Sequence, residues 1–291
     1  MRLTRRIVLL CGVLGLIGGL ALSWVAGSFM VRGEASTVPA TGAPARDFRI
    51  RTSDGLTLAA TYWPGRRPDS PAVLLLHGVK ASRASTAPTA DWLHALGYAA
   101  LTIDFRGHGQ SDMAERSFGL RESTDAGAAF DWLKRRQSGA RVAVIGNSLG
   151  GAAALLGPSG PVPADALILQ AVYPDIRHAI RNRIAGRLTA ATAWLLEPLL
   201  SFQSKPRFGV MPGDLSPLNA LRRYPGPVLV IGGEKDRYTP PDETRDLFEA
   251  APGRKSLWLV PGKGHAAIGQ LSGDDYRGRI RRFLQSTIGP P

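Results

Sequence analysis

The chain has 291 residues, of which 44% are hydrophobic and 20% are charged. This balance allows a large core and excludes a globally disordered chain. The 36 Lys and Arg residues outnumber the 23 Asp and Glu residues, and the formal net charge is +13. The cations are scattered, without a zinc spacing, an aromatic RNA-binding signature or a dense basic run, so we expect no nucleic-acid partner. A basic background without a specific partner explains the charge most simply, and attraction to an anionic membrane surface is the next interpretation.

The N-terminus carries a long apolar segment. Three arginines among the first six residues precede 25 uncharged residues, 7–31. About 20 apolar residues span a bilayer, whereas the apolar core of a cleaved signal peptide has about 7–15. We therefore predict an uncleaved signal anchor within residues 1–33, with the arginines in the cytoplasm and the following domain on the extracytoplasmic side of the membrane. Secretion after cleavage near residues 25–27 is the alternative.

The only cysteine, Cys11, lies inside this apolar segment. The domain beyond the segment therefore has no cysteine to form a disulfide, to act as a nucleophile or to bind zinc. We interpret Cys11 itself as a small apolar residue in lipid.

Residues 34–46 are small and rich in Thr, Ser, Pro and Gly, which predicts a flexible tether before a folded domain at 47–291. An antiparallel hairpin is expected to open this domain. Apolar runs then alternate with helical patterns, which predicts an α/β fold with a mostly parallel central sheet and helices on both faces. The predicted hairpin strands are 48–51 and 56–62, the later strands are 72–76, 98–103, 142–145, 166–169, 228–231 and 256–260, and the helices include 86–96, 122–136 and 242–250.

Residues 174–224 form an interval too long for a simple connection between two strands. They contain a basic amphipathic helix candidate at 176–194, an apolar stretch at 195–200 and a Pro- and Gly-bearing stretch at 205–217. We predict a small cap or lid inserted over the C-terminal edge of the sheet, where ligands bind in open α/β sheets. Its apolar faces are expected to cover the site, to pack on the core or to contact the membrane.

The strongest chemical signal is the sequence Gly146-Asn147-Ser148-Leu149-Gly150, which follows a β-branched run and precedes a stretch of small residues. This order predicts a strand, a sharp turn and a helix, with the serine at the apex of the turn. The flanking glycines are needed because a Cβ atom would crowd the turn. The N–H groups of the following helix favour negative charge beside the serine. For this motif alone, an ordinary glycine-rich turn is the alternative.

A serine nucleophile needs a base, and the base needs a group that orients it. Asp236 and His265 each follow a predicted strand later in the chain. The order Ser148, Asp236, His265, with each residue just beyond a strand, is the order described for α/β-hydrolases. The tetrahedral oxyanion requires two N–H donors, which we expect from Leu149 and from Val79 in the loop after strand 72–76.

Together these motifs resemble those of the serine α/β-hydrolases, over roughly residues 47–284. The matching segments are His77-Gly78, 104–111, 146–150, the Asp236 turn and Gly264-His265. Among these enzymes the chain is most similar to the serine aminopeptidase-like and monoacylglycerol-lipase-like esterases, many of them membrane-tethered.

The resemblance implies an α/β-hydrolase fold, a Ser148–His265–Asp236 triad, and neither a metal nor an organic cofactor. It implies hydrolysis of a carboxylic ester, in a small-molecule or lipid-like substrate, through an acyl-enzyme intermediate. The alternatives are peptide or amide hydrolysis by the same triad, as in aminopeptidase-like relatives, and a non-catalytic binding protein that keeps the fold.

Other titratable residues offer alternative site assignments. His77 and His108 could act as bases, but each precedes a glycine in a loop before the serine, which favours loop hydrogen bonding. Glu234 shares a turn with Asp236, and the Gly-x-x-Asp spacing of the family favours Asp236. Asp104 ends a strand but precedes the serine, against the expected order.

Structural roles are expected for several further residues. We expect surface, core-edge or loop positions for His94, His178, Asp165 and Asp175. Core or lid packing is expected for Trp194, Phe202 and Phe208, and an acyl pocket is the alternative for these three.

Overall fold

The computed structural model describes residues 2–158 and 160–291. It begins with a 30-residue helix, α1 (Arg2–Val31). The segment Leu9–Val31 of this helix has a mean hydropathy of 2.1 and is long and apolar enough to cross a membrane. Most of its large apolar side chains are exposed. Because this helix does not contribute to the hydrophobic core along most of its length, it is available for contact with lipid.

A twisted sheet of eight strands forms the centre of the domain. The described residues form ten strands, of which eight belong to this sheet: β1 (Glu34–Ala35), β2 (Arg46–Arg51), β3 (Thr57–Trp63), β4 (Ala72–Leu76), β5 (Ala99–Ile103), β6 (His108–Gly109), β7 (Val142–Asn147), β8 (Ala166–Gln170), β9 (Val228–Gly233) and β10 (Lys255–Val260). The sheet order is β10-β9-β8-β7-β4-β5-β3-β2, and β1 pairs separately with β6. Only β3 runs antiparallel to β2 and β5, and the other pairs are parallel. This confirms the predicted α/β class and places each predicted strand within two residues of an observed one.

Helices cover both faces of this sheet. They are α2 (Ala87–Leu96), α3 (Glu122–Arg136), α4 (Leu149–Leu155), α5 (Ile176–Ala185), α6 (Ala190–Ser201), α7 (Ser204–Phe208), α8 (Pro217–Leu221), α9 (Pro241–Ala250), α10 (His265–Ile268) and α11 (Asp274–Thr287). Side chains alternate along each strand, so Leu74 and Leu76 of β4 join one core with α3 and α4, while Val73 and Leu75 join the other with α2 and α11. Burial on both faces explains why the strand sequences are continuously apolar.

The interval between β8 and β9 differs from the prediction in one respect. The prediction of a single helix over 176–194 is wrong, because α5 ends at Ala185 and α6 begins at Ala190. The chain turns at Gly186, and the Thr189 side chain accepts a hydrogen bond from the N–H of Thr192 at 3.2 Å, which caps α6. We call the segment 174–224, which contains α5 to α8, the cap.

Residues 34–46, predicted to be a flexible tether, are held against the domain in the structure. The N–H of Glu34 donates to the carbonyl of Gly107 at 2.8 Å, and the N–H of Ser36 donates to that of Gly109 at 3.0 Å. Val38 and Ala45 are buried. The composition signalled flexibility because these residues are small, but their backbone donors find partners in the loop around β6.

Candidate active site

Ser148 lies between β7 and α4, at the C-terminal edge of the sheet. Its backbone has φ 49° and ψ −107°, a conformation that is strained for a residue with a Cβ atom. The N–H of Ser148 donates to the carbonyl of Gln170 at the end of the neighbouring strand β8, at 2.8 Å. This bond holds the turn in its sharp form, so the serine hydroxyl is presented at the strand-to-helix junction.

The glycines on either side of Ser148 permit this turn. A Cβ atom on Gly146 would lie 2.6 Å from the backbone nitrogen of Gly151. A Cβ atom on Gly150 would overlap the carbonyl of Leu76 in the adjacent strand β4. Both contacts are with backbone atoms that cannot move away cheaply, so the Gly-x-Ser-x-Gly spacing follows from the close packing of α4 on β4 and β7.

Asp236 and His265 are brought together by the loops that follow β9 and β10. These strands are parallel neighbours, with Gly233 opposite Val260. Two backbone bonds link their loops, from the N–H of Glu234 to Val260 at 3.1 Å and from the N–H of Lys235 to Lys263 at 2.9 Å. As a result His265 Nδ1 lies 2.8 Å from Asp236 Oδ2.

The carboxylate of Asp236 accepts further hydrogen bonds within its own turn. Oδ1 accepts the N–H groups of Tyr238 and Thr239 at 2.8 and 2.9 Å, and Oδ2 accepts the Thr239 hydroxyl at 2.6 Å. Burial acts most strongly on the pKa of Asp236 and would raise it, but the bonds from His265 and Thr239 outweigh burial and hold the pKa below its ordinary value. Asp236 is therefore ionised at neutral pH and acts as an acceptor toward the imidazole.

The hydroxyl of Ser148 is buried and makes no hydrogen bond to a protein atom in the described part of the chain. The short helix α10, which His265 begins, lies against the same turn, since a Cβ atom on Gly269 would lie 2.5 Å from the side-chain nitrogen of Asn147. The structure thus forms the bond between Asp236 and His265, and leaves the bond between His265 and Ser148 unmade. Catalytic hydrogen bonds are often long before substrate binds and tighten in the complex.

Val79 and Leu149 occupy equivalent positions beyond two adjacent parallel strands. Leu76 of β4 is the register partner of Gly146 of β7, and each of the two N–H donors lies three residues further along. Leu149 is the first residue of α4, so its N–H belongs to the helix's first turn and has no intrahelical acceptor.

His77 and His108 form hydrogen bonds with the backbone of neighbouring loops, which indicates a structural role. His77 Nδ1 lies 2.7 Å from the carbonyl of Gly78, and its Nε2 accepts the N–H of Phe105 at 3.1 Å. Burial, together with the nearby His108, lowers the pKa of His77 to about 3, so this imidazole is neutral. His108 Nδ1 lies 2.9 Å from the carbonyl of Arg106, and burial lowers its pKa as well. Both side chains hold loops, in agreement with the preferred assignment.

The alternative acids have other partners. Asp104 is fully buried, forms an ion pair with Arg83 and accepts the backbone N–H groups of Arg83 and Gln110 at 2.6 and 2.9 Å. Glu234 is exposed, and its carboxylate accepts the N–H of Gly262 at 3.2 Å. Neither is bonded to a histidine. Within residues 2–158 and 160–291, no group of three or more His, Cys, Asp or Glu side chains is arranged to hold a metal ion.

Comparison with known proteins places this chain in a family. Residues 67–208 match the family model described as "Serine aminopeptidase, S33". Uncharacterized protein Rv2307c of Mycobacterium tuberculosis (strain ATCC 25618 / H37Rv) is 32% identical over 245 residues, which cover 83% of this chain and 80% of that protein. The chain belongs to the serine aminopeptidase-like α/β-hydrolases.

Two further similarities extend this result. Protein ABHD12B of Homo sapiens is 28% identical to this hydrolase over 197 residues, 65% of this chain and 52% of the human protein. The solved structure of the Pyrococcus furiosus esterase Pf2001 has a TM-score of 0.69 and 20% identity, and the match covers 89% of this chain and 99% of that chain. The second similarity shows the fold alone, and it confirms the α/β-hydrolase architecture.

The hydrolase has two polar features near its site that the sequence analysis missed. Thr239 bonds to Asp236 through both its N–H and its hydroxyl, and an Asp followed three residues later by Thr in a turn is a recognisable signal for such a bond. In the cap, Asp175 caps α5 and its Oδ2 lies 2.8 Å from His178 Nδ1. This second His–Asp pair is local to the first turn of one helix, and we assign it to the capping of α5.

The three cap aromatic residues that were considered for an acyl pocket have different surroundings, and Phe208 alone lines an apolar cavity, together with Phe118 and Ile180. Trp194 is exposed on the outer face of α6, and Phe202, which directly follows α6, is exposed as well. Phe208 packs edge-on against Phe118, with ring centroids 6.4 Å apart, and beneath the guanidinium of Arg121. Phe208 therefore has the packing role that was expected for it, whereas the other two face away from the protein.

Proposed function

We propose that the protein is a membrane-anchored serine hydrolase that cleaves carboxylic ester bonds through an acyl-enzyme intermediate. The observation that carries this proposal is the hydrogen bond between His265 and Asp236 beside the strained turn of Ser148. A carboxylate only accepts, so the bond requires a proton on His265 Nδ1, and in the neutral imidazole Nε2 then has a free lone pair. An imidazole in this tautomer is a general base for a neighbouring hydroxyl.

In the proposed acylation step, Ser148 Oγ forms a bond to the ester carbonyl carbon while His265 Nε2 takes the hydroxyl proton. The carbonyl π electrons move to the oxygen, and the resulting oxyanion accepts hydrogen bonds from the N–H groups of Val79 and Leu149. The charge of Asp236 stabilises the imidazolium. When the intermediate collapses, the bond to the leaving oxygen breaks and the imidazolium protonates the departing alcohol.

In the proposed deacylation step, water takes the place of the alcohol. His265 Nε2 removes a proton from the water as the water oxygen attacks the acyl carbon, and the oxyanion again lies between the two N–H donors. Collapse releases the carboxylic acid and returns the proton to Ser148 Oγ. The free enzyme is restored with no net change in its protons.

The charge of the cap favours an ester over an aminopeptidase substrate. Residues 174–224 contain eight Lys and Arg residues but only three Asp and Glu residues. All three acids are already engaged: Asp175 with His178, Glu197 with Arg177 and Arg181, and Asp214 with the N–H of Met211. An aminopeptidase must bind a protonated amine, which this surface repels. A neutral ester, or one with an anionic group, is compatible with it.

The N-terminal helix supports the membrane part of the proposal. Its last turns form specific contacts with the cap, including a hydrogen bond from the Ser23 hydroxyl to the Leu199 carbonyl at 2.7 Å and burial of Val31. Cleavage near residues 25–27 would remove the hydrogen bonds that Ser23 forms with Leu199 and Gln203. We therefore propose that α1 is retained as an anchor, with its arginines in the cytoplasm and the hydrolase domain on the extracytoplasmic side.

Labelling with a fluorophosphonate probe tests the proposed nucleophile and base. We expect the wild type to label, and Ser148→Ala and His265→Ala to lose labelling. His94→Ala is the matched control, because it removes a histidine of α2 whose Nδ1 lies 2.6 Å from the carbonyl of Pro64, and it should label like the wild type. A folded wild type that does not label would favour the non-catalytic binding protein, and labelling of Ser148→Ala would identify a different nucleophile.

A comparison of turnover tests the substrate class. We expect p-nitrophenyl esters to be hydrolysed faster than aminoacyl p-nitroanilides, and the reverse order would establish the aminopeptidase alternative.

A further inference from the structure

The outer face of α6 carries a stripe of exposed apolar side chains. Trp194 and Leu195 are 61% and 74% exposed, and Leu199 and Phe202 continue the stripe at helical spacing. Exposed apolar residues are ordinary when scattered, but a contiguous group on one helix face indicates a contact surface. We call these four residues the α6 stripe.

The opposite face of α6 fixes the direction in which this stripe points. Glu197 lies on the inner face of α6 and is fully buried. Its carboxylate forms ion pairs with Arg177 at 3.0 Å and Arg181 at 3.3 Å, both on α5. Ala193 and Ser201 are buried on the same side. Rotation of α6 to hide the stripe would break both ion pairs of the buried Glu197 carboxylate, which is strongly unfavourable. The stripe therefore remains exposed as long as the cap is folded.

Contacts with α1 place the stripe relative to the membrane. Gln203, just after α6, donates from Nε2 to the carbonyl of Ser23 at 2.9 Å, and Arg207 lies over the ring of Trp24 at 3.9 Å from its centroid. Arg207 also donates to the hydroxyl of Ser28 at 2.8 Å. The final turns of α1 and the C-terminal end of α6 thus lie at the same level.

The length of α1 indicates where the contact between α1 and the end of α6 lies relative to a bilayer. From Arg6 to Trp24 the helix rises about 27 Å at about 1.5 Å per residue, close to the roughly 30 Å thickness of the hydrocarbon core. Arginine at one end and tryptophan at the other are the residues that membrane interfaces favour. With Trp24 at the interface, the end of α6 that contacts the same turn of α1 lies at the lipid surface.

The charges beside the stripe complement lipid head groups. The guanidinium of Arg181 lies 3.7 Å from the ring centroid of Trp194, and that of Arg177 lies 5.9 Å from the ring centroid of Phe202. Each pair presents an aromatic ring next to a cation, a combination suited to the boundary between acyl chains and phosphate groups. The excess of cations in the cap adds attraction to anionic lipid head groups.

We propose that the α6 stripe is a membrane-contact surface, occupied by the lipids of the leaflet that α1 enters. This inference rests on the proposed role of α1 as an anchor. The two attachments hold the cap against the bilayer, so the substrate class that the cap meets first is an ester partitioned in that leaflet. A second copy of the chain is the competing occupant, but the arginines next to the stripe would face their own counterparts across a symmetric contact and repel them.

Quenching of a site-specific fluorophore tests the proposal in the full-length protein in nanodiscs that contain one chain each. The native Cys11 is labelled as the reference for the bilayer. The test variant is Cys11→Ala with Leu195→Cys, and the matched control is Cys11→Ala with Gln285→Cys, an exposed position of α11 on the other side of the sheet. Lipids with a nitroxide near the head group serve as the quencher.

We expect quenching of the Leu195 position several-fold above that of the Gln285 position and comparable with that of Cys11. Equal quenching at Leu195 and Gln285, with Cys11 strongly quenched, would overturn the membrane-contact surface and leave the anchor intact. Weak quenching at all three positions would overturn the anchor and the surface together, without affecting the proposed triad. Energy transfer between labelled Leu195 positions in discs with two chains, without lipid quenching, would assign the stripe to a second copy.

Discussion

His265 Nδ1 lies 2.8 Å from Asp236 Oδ2, although 29 residues separate the two positions in the chain. The bond depends on the parallel pairing of β9 and β10, which brings the two following loops side by side. Its effect is to define which nitrogen of the imidazole carries a proton. The nucleophilic chemistry proposed for Ser148 therefore depends on a carboxylate that does not itself contact the substrate.

Asp236→Asn should reduce kcat with ester substrates by about 10³–10⁴-fold. The asparagine amide has a donor that favours the wrong tautomer of His265, with the proton on Nε2 where the base is needed. Steady-state kinetics measure the loss, and circular dichroism verifies the fold. Glu234→Gln changes an exposed carboxylate in the same turn and is the matched control, with unchanged kcat expected. Equal losses in the two variants would contradict the assignment of Asp236.

The strand pattern and the positions of the proposed triad could be predicted from the sequence because both depend on local signals. Each strand is a short apolar run, and each proposed triad residue follows such a run within a glycine-bearing turn. The contacts between distant segments could not be predicted. The pairing of Glu34 with Gly107 and the ion pair of Asp104 with Arg83 involve no periodicity, and only the folded chain brings these residues together.

The break between α5 and α6 was missed for a different reason. Apolar and basic residues continue through Gly186 with helical spacing, so the pattern alone indicates one helix. The N-terminus of α6 is capped by Thr189, whose side-chain oxygen accepts a hydrogen bond from the N–H of Thr192. A glycine followed by a threonine inside a helical pattern was a usable signal for this break.

Stability should fall as the pH decreases from about 6.5 toward 3, in part because of His77. Its pKa is lowered to about 3 in the folded protein, while the unfolded chain has the ordinary value of 6.5. Between these values the unfolded state binds one more proton, so His77 costs about 1.4 kcal/mol of folding free energy for each pH unit below 6.5. Above 6.5 the imidazole is neutral in both states and this dependence disappears.

Chemical denaturation between about pH 4.5 and 7.5 measures this dependence. His77→Gln keeps an amide acceptor for the Phe105 N–H and cannot titrate. In the acid half of this window, the slope of the unfolding free energy against pH should therefore decrease by about 1.4 kcal/mol per pH unit, which corresponds to one bound proton. His108 keeps its own contribution in both proteins, since burial lowers its pKa as well. Parallel curves for wild type and variant would show that His77 is protonated in the folded state.

Gly150→Ala should destabilise the protein by more than about 2 kcal/mol, because the new Cβ atom overlaps the backbone carbonyl of Leu76 and must displace β4 or α4. Gly127→Ala is the matched control. A Cβ atom on Gly127 in α3 meets nothing within 4 Å, so alanine should stabilise that helix by about 0.5–1 kcal/mol. Thermal unfolding compares the two, and a small effect of Gly150→Ala would contradict the close packing of α4 on β4.

Asp104→Asn should cost about 3–5 kcal/mol of stability, because it leaves the buried guanidinium of Arg83 without its counter-charge. Fluorophosphonate labelling per folded molecule should stay close to the wild-type level, which distinguishes Asp104 from Asp236. The measurement combines denaturation with labelling at a temperature where the variant is folded. A stable Asp104→Asn that does not label would instead assign Asp104 a part in the chemistry.

The pairing of β1 with β6 limits how far the hydrolase domain can move relative to α1. A free linker of the 13 residues 34–46 would let the domain wander over roughly 20 Å. Here Glu34 is bonded to Gly107 only three residues beyond the end of α1. With α1 in a bilayer, the proposed nucleophile Ser148 would be held at a fixed height and orientation above the lipid, and movement of the domain about a linker could not bring it to substrates. Access is then decided by the substrate itself, by how far its scissile bond rises out of the membrane.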